Sequence, residues 1–257
     1  MIIHSFDDQS EPLIGPWSFY GPQQHLCDTC ILTFSHVILK EMKRLFSLRE
    51  AALIGGANGP TPIYTFDHEG QTLAVCLSDL GSTLAGTNVI EINWLAGATR
   101  FIMFGSAGSL NHKLTDGNYV LPTEAYRDEG MSYHYAPAAD YIRIKNASRM
   151  EAFFQQKKLP YVTGRVWTTD AFYRETRAQV RARQAEGCIA VEMELAGVQA
   201  VCDFHGFELY DFLVTGDVLD APEYQVGGLR SANHDLDKLW IALELAKSIK
   251  VDRTEAE

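Results

Sequence analysis

The chain has 257 residues, 46% of them hydrophobic, and a formal charge of −11. Such a length and apolar share suit one α/β domain with a sizeable core or two small ones. The acidic balance, without a block of Lys and Arg, excludes the footprint of a protein that holds a nucleic acid polymer.

No apolar run reaches the roughly 18 residues of a membrane helix, and MIIHSFDDQ lacks the basic and apolar regions of a secretory signal. A soluble cytoplasmic protein without a membrane partner is expected. Cys27, Cys30, Cys76, Cys188 and Cys202 form an odd, scattered set, which fits a reducing compartment.

Residues 1–26 are rich in turn-formers and show no sustained period, so they read as an extended arm whose Trp17, Phe19 and Tyr20 pack on something. Apolar strand patterns then alternate with helical ones: CILTF, VILKEMKRLF, TLAVCLS, TNVIEINWLAGA and RFIMFG. RIKNASRMEAFFQQKK, the extended YVTGRVWTT, the helix ELAGVQAVCDF and the strand ELYDFLVTG continue the rhythm. In the closing helix Leu236, Leu239, Trp240, Leu243 and Ala246 make one apolar stripe. This alternation predicts a mixed or parallel sheet with helices on its faces, in a single domain over residues 27–257 after the arm.

Four stretches carry candidate chemistry. RFIMFGSAGSL, residues 100–110, predicts a buried strand that ends at Gly105 and opens into a turn with Ser106 and Gly108. Such a turn either ends the strand and does nothing more, or lets backbone N–H groups approach an anion or a sugar. TTDAFYRE, residues 168–175, sets Phe172 beside Tyr173 just past a strand, where Phe172 either joins the core or stacks on a planar base. In AVEMELAG, residues 190–197, Glu192 and Glu194 flank Met193 at the mouth of a charge-free run, and an unpaired carboxylate there is costly, so something must hold both. LVTGDVLD, residues 213–220, places Asp217 after Gly216 at a strand end, as a turn residue or as a proton donor of raised pKa. Arg230 follows at the start of the final helix. The lone CDTC pair has no second pair and no histidines at ligand spacing, since His25 and His36 do not make a set, so no metal is expected.

In order and spacing GSAGSL, TDGNYVLPTEAYRDEGMSYHYAP, TTDAFY, AVEMELAGVQAV and VTGDVLD resemble the nucleoside phosphorylase family, which includes purine nucleoside phosphorylase, uridine phosphorylase and the nucleosidases. The resemblance implies a central mixed β-sheet flanked by helices and cleavage of the N-glycosidic bond of a nucleoside. It implies that Glu194 accepts hydrogen bonds from the ribose hydroxyls, that Met193 packs on the sugar and that Phe172 stacks on the base. Asp217 then protonates purine N7 with help from Arg230, while Ser106, Gly105, Glu192 and Gly216 count among the substrate-binding residues. No cofactor is implied beyond inorganic phosphate as co-substrate, and the product pair is a free base and a pentose 1-phosphate. A homo-oligomer, dimer or hexamer, is also implied, with His4 or His25 as the histidine lent to a neighbour's ribose.

The chain departs from the family at the anion site. Met103 stands where phosphorolytic members carry an arginine, and TFSHVILK, with Ser35, replaces their Gly-Asp-x-x-Arg turn. Arg127, Arg174 or a neighbour's arginine would then have to grip phosphate. The glutamate with which hydrolytic relatives activate water is not found either. A nucleosidase, with the Met103 region taking an apolar 5′ group, and an inactive nucleoside-binding protein therefore stand as alternatives.

Overall fold

The computed structural model describes residues 5–7 and 10–249. The first half runs β1 (Thr29–Thr33), α1 (His36–Leu45), β2 (Arg49–Ile54), β3 (Thr61–His68), β4 (Gln71–Leu77), α2 (Ser82–Ala96) and β5 (Arg100–Ser109). The second runs α3 (His112–Thr115), β6 (Tyr119–Asp128), β7 (Tyr141–Arg143), α4 (Ala147–Lys157), β8 (Tyr161–Thr169), α5 (Arg177–Ala185), β9 (Cys188–Glu192), α6 (Leu195–His205), β10 (Glu208–Val218), α7 (Leu229–Asn233) and α8 (Asp237–Ser248). These elements form a single α/β domain around one mixed sheet.

Strand periodicity explains the layering. Along β1, β5 and β10 alternate side chains point to opposite faces, so Leu32, Phe101, Met103, Leu209 and Leu213 pack beneath α2 and α6. Ile31, Ile102, Phe104, Tyr210 and Phe212 pack beneath α1, α4 and α8. The helices show the complementary period: α1 buries Ile38 and Met42, one turn apart, and its N-cap Ser35 accepts the Ile38 N–H at 3.3 Å. α2 stops at Gly97, whose φ of 84° suits glycine.

The sheet order is β10, β6, β8, β9, β5, β1, β4, β3, β2, and β10 also pairs with β5. The second half of the sheet therefore closes on itself through β5, β10, β6, β8 and β9, while the first half stays open. This closure corrects one expectation. Gly105 to Ser109 do not form a turn but continue β5, because their backbone groups pair with Leu213 to Val218 of β10 and, at Gly108 and Ser109, with β9. Asp217 likewise lies within β10, after an irregularity at Gly216.

Two further expectations change at the C-terminal end. Arg230 belongs to the short helix α7, and the final helix begins only at Asp237. In that helix Trp240 is 48% exposed, whereas Leu239, Ala242, Leu243 and Ala246 face the core at positions i, i+3, i+4 and i+7. Ahead of β1, the backbone N–H groups of Gln24 and Leu26 donate to the carbonyls of Trp94 and Ala96 at the end of α2. Tyr20 donates to Glu91 and accepts from the N–H of Gly55. His4 lies outside the described residues.

Candidate functional site

The carboxyl ends of β5, β8, β9 and β10 converge on a cavity of about 520 Å³, lined by Ser106, Phe172, Glu192, Met193, Glu194 and Asp217 among others. A smaller cavity of about 140 Å³ opens beside it, and Leu80, Ser106, Glu194 and Asn233 line both.

The two glutamates are held differently. Glu192, the last residue of β9, accepts a hydrogen bond from the Thr168 hydroxyl and, through its other oxygen, from the N–H groups of Glu194 and Leu195, each at 2.7 Å. It thus caps α6, where a carboxylate meets the positive end of the helix dipole. Glu194 accepts from the N–H of Gly81 at 2.7 Å and from that of Met193 at 3.3 Å. It faces both cavities while only 8% exposed. Ser82 ties the turn down by donating to the Met193 and Glu194 carbonyls.

Burial pushes both carboxyls above the ordinary carboxylate range, Glu192 further because Glu194 stands beside it. Behind them on β10 sits Asp211, fully enclosed, with no hydrogen-bond partner on either oxygen and its carboxyl also pushed well up by burial. Three carboxyls thus share one poorly solvated region.

At the opposite end, Asp217 accepts a hydrogen bond from the Tyr224 hydroxyl at 3.0 Å. Its carboxyl is raised by burial against the lowering effect of that bond. Glu175, which sequence reasoning passed over, lines the same end and is pushed up to about 7 by burial and by Asp217. A carboxyl raised in this way carries a proton closer to neutral pH and can donate it. Phe172 packs against Tyr173, ring centroids 3.9 Å apart and planes tilted by 34°, and is 48% exposed at the cavity edge, so it belongs to the rim rather than the core. Arg177 fixes the neighbouring segment by donating to the carbonyls of Leu219, Ala221 and Pro222.

The glycines differ in what they do. A Cβ on Gly108 would lie 2.5 Å from Leu219 Cδ1 and 3.3 Å from Asp217 Oδ2, so only glycine lets β5 run under the Asp217 end of the cavity. Gly105 lines the smaller cavity. Gly216 lines neither; a Cβ there would meet Ala232 and Leu229, so it serves the approach of α7 to β10.

Arg230 also lines neither cavity and is exposed on α7. Arg127 is buried away from the site, donating to Ser132 and to the carbonyls of Ala136 and Pro137, and Arg174 is exposed on a 3-10 turn. Met103 is a core residue on the α2 side of the sheet, and His25 pairs with Asp28 at 3.1 Å. None of these lines either cavity. Besides Ser35, Ser106 and Glu194, the smaller one is lined by the polar residues Thr33, Asn233, His234 and Lys238, which no motif singled out. Lys238 left one trace, a lysine inside the buried face of an apolar helix.

Residues 30–245 match the family model described as the phosphorylase superfamily. The chain is 27% identical over 197 residues to the DeoD-type purine nucleoside phosphorylase of Caldanaerobacter subterraneus subsp. tengcongensis, covering 71% of this chain and 80% of that one. It is 24% identical over 192 residues to the protein of the same name from an Exiguobacterium species, covering 72% and 79%. Futalosine hydrolase of Helicobacter pylori shares the fold at a TM-score of 0.69 and 15% identity, over 86% of this chain and 98% of that one. AMP nucleosidase from Bacteroides thetaiotaomicron does so at 0.63 and 21%, over 87% and 90%. By the match over most of its length, this chain belongs to the phosphorylase superfamily.

Proposed function

We infer that this chain is an enzyme that cleaves the N-glycosidic bond of a nucleoside, with a purine-type base and with phosphate as the acceptor. The observation that carries the reading is one cavity that holds a backbone-tethered carboxyl, Glu194, at one end and a carboxyl raised by burial, Asp217, beside an aromatic rim at the other. The C1′–N bond breaks through an oxocarbenium-like state. Negative charge at Glu194 stabilises the positive charge that develops on the sugar, and a proton from Asp217 to purine N7 makes the base a better leaving group. Phe172 supplies a face on which a planar base stacks.

Relatives named purine nucleoside phosphorylases support phosphorolysis to a free base and a pentose 1-phosphate. Hydrolysis is the second reading, favoured by the absence of any arginine other than Arg177 from the cavity linings of the described residues. Five free, buried cysteines support a reducing cytoplasmic setting, and no helix among the described residues is long and apolar enough to cross a membrane. The exposed Leu13, Ile14, Trp17 and Phe19 support assembly as a homo-oligomer, which light scattering on the purified protein tests.

The experiment is free-base release from a panel of purine and pyrimidine nucleosides, in phosphate-free buffer and with phosphate added. Purine release that requires phosphate is expected. Release without phosphate makes the enzyme a nucleosidase, and silence under both conditions overturns the reading.

A further inference from the structure

Among the described residues, Glu175, Glu192, Glu194 and Asp217 are the carboxyls that line the main cavity. Glu192 caps α6, while Glu194 and Asp217 carry the proposed chemistry; Glu175 does neither. It stands between the 3-10 turn Phe172–Arg174 and Thr176, the N-cap of α5. Both flanks are fixed. The Glu175 N–H donates to the Phe172 carbonyl at 3.2 Å, and the side chains of Thr176 and Gln179 each accept the other's backbone N–H across the first turn of α5. A carboxyl delivered to the cavity from so fixed a backbone is held in place.

No cation balances this carboxyl. Glu175 feels burial and the charge of Asp217, and Asp217 feels burial, the Tyr224 hydroxyl and its own backbone N–H. Arg177, the one arginine in the cavity linings of the described residues, gives its guanidinium to the carbonyls of Leu219, Ala221 and Pro222. From β5 only Ser106, Ala107 and Gly108 reach the lining. The other titratable groups at this end are Tyr173 and Tyr224, and Tyr224 is pushed up to about 12 by burial, by its bond to Asp217 and by the charges of Asp217 and Glu175. Two partly desolvated carboxyls without a cation between them do not both ionise at little cost. Their protons leave in two steps that belong to the pair, and the second step is delayed.

We propose that Glu175 is a positioning residue that keeps Asp217 loaded with the proton for the leaving base, the two carboxyls holding one proton between them. The proposal rests on the nucleoside-cleaving reading with Asp217 as the acid. Arg230, exposed on α7, lies outside both linings, so help for Asp217 comes from a neighbour of the opposite charge. As the C1′–N bond breaks, its electron pair stays on the base and the proton passes from Asp217 to N7. The acceptor adds to C1′ and gives up a proton to solvent, and solvent returns one to the pair. Negative charge on Glu175 raises the affinity of Asp217 for that proton, so the acid stays loaded at a pH where an isolated aspartate has lost it.

The test compares wild type with Glu175→Gln, which removes the charge, and with Glu175→Asp, which keeps it. kcat/KM is followed against pH for the fastest-cleaved purine nucleoside and for its N7-methyl derivative, whose base leaves without a proton. Wild type should lose purine cleavage on the alkaline side as the pair gives up its last proton. Glu175→Gln should move that limb down by about one pH unit or more, and Glu175→Asp should restore most of it. The N7-methyl profile should be the same in all three proteins. A Glu175→Gln variant that lowers kcat/KM alike at every pH, or that leaves the limb in place, makes the side chain a packing residue and overturns the proposal. A carbon NMR titration of the purified protein with labelled side-chain carboxyls reads the pair without substrate. Glu175→Gln should bring Asp217 back toward the ordinary carboxylate range, and Asp217→Asn should do the same for Glu175. Such coupling, with no nucleoside cleaved by wild type, keeps the proton-holding pair and overturns the nucleoside-cleaving reading. Two carboxyls that titrate independently overturn the proposal.

Discussion

The two ends of the main cavity are built on different principles. At the end that the proposed function gives to the sugar, Glu192 and Glu194 stand on the junction of β9 and α6, nearly enclosed, each held by backbone N–H groups within hydrogen-bond distance. At the end proposed for the base, Phe172, Tyr173 and Tyr224 are 48%, 89% and 57% exposed and come from connecting segments, with Asp217 alone of the four anchored in a strand. The difference teaches a division of labour. Charge that must stay put is fixed by the ladder and a helix terminus, where reorganisation is costly, whereas the surface that meets a variable ring is left to side chains on connecting segments.

Substitutions at each end test that division, and the largest effect is expected at Asp217, the proposed proton donor. Asp217→Asn keeps the shape and the Tyr224 contact but removes the acid, so purine release should fall by about 10²- to 10⁴-fold in steady-state kinetics. A nucleoside whose base needs no protonation to leave should lose far less; equal losses for both would assign Asp217 to binding. At the other end Glu194→Gln should cost about 10²- to 10³-fold in kcat, the scale of removing one preorganised electrostatic contact. Its circular dichroism should match wild type, and retained turnover would break the comparison at its sugar end.

Stability gives the next contrast. Glu192→Ala leaves the first N–H groups of α6 and the Thr168 hydroxyl without their acceptor, and should lower unfolding free energy by about 1–3 kcal/mol in urea titration. Phe172→Ala, on an exposed rim, should leave stability within about 0.5 kcal/mol and act on nucleoside KM instead.

A smaller effect concerns pH. Glu192, Glu194 and Asp211 all have folded-state pKa values above those of an unfolded chain. The folded protein therefore holds more protons than the unfolded one from about pH 4.3 upward, and stability falls as pH rises through the raised values. The Tm without substrate should decline between pH 5 and 8, and Asp211→Asn should flatten that slope. A Tm that climbs over this range would show that the three carboxyls are ionised at little cost.

Much of the fold was legible because periodicity is local. The alternation in CILTF, RFIMFG and ELYDFLVTG and the helical runs of α1, α2, α4 and α6 needed no partner to be recognised. β2, β3, β6, β7 and β9 do not stand out in the sequence: half-exposed REAALI carries a weak apolar pattern, and buried CIAVE is only five residues long. The site was legible wherever chemistry sat in one short stretch: AVEMELAG and LVTGDVLD brought Glu194, Met193 and Asp217, and the cavity holds all three. Gly216 and Arg230 share their neighbourhood in sequence without lining the cavity.

What the sequence determined by itself is the kind of sheet, its helical layers and the presence of buried carboxylates that need partners, because each follows from residues a few positions apart. Only the tertiary structure decided what those residues meet. Gly81, 113 positions from Glu194, supplies its N–H, and Ser35 finds His234 across 199 positions. Strand closure through β5 and β10 turns an expected glycine turn into ladder, and α7 and α8 fold Lys238 beside Ser106. Such contacts are set by how layers stack, and a pattern confined to neighbouring positions carries no record of which distant segment will close the space above it.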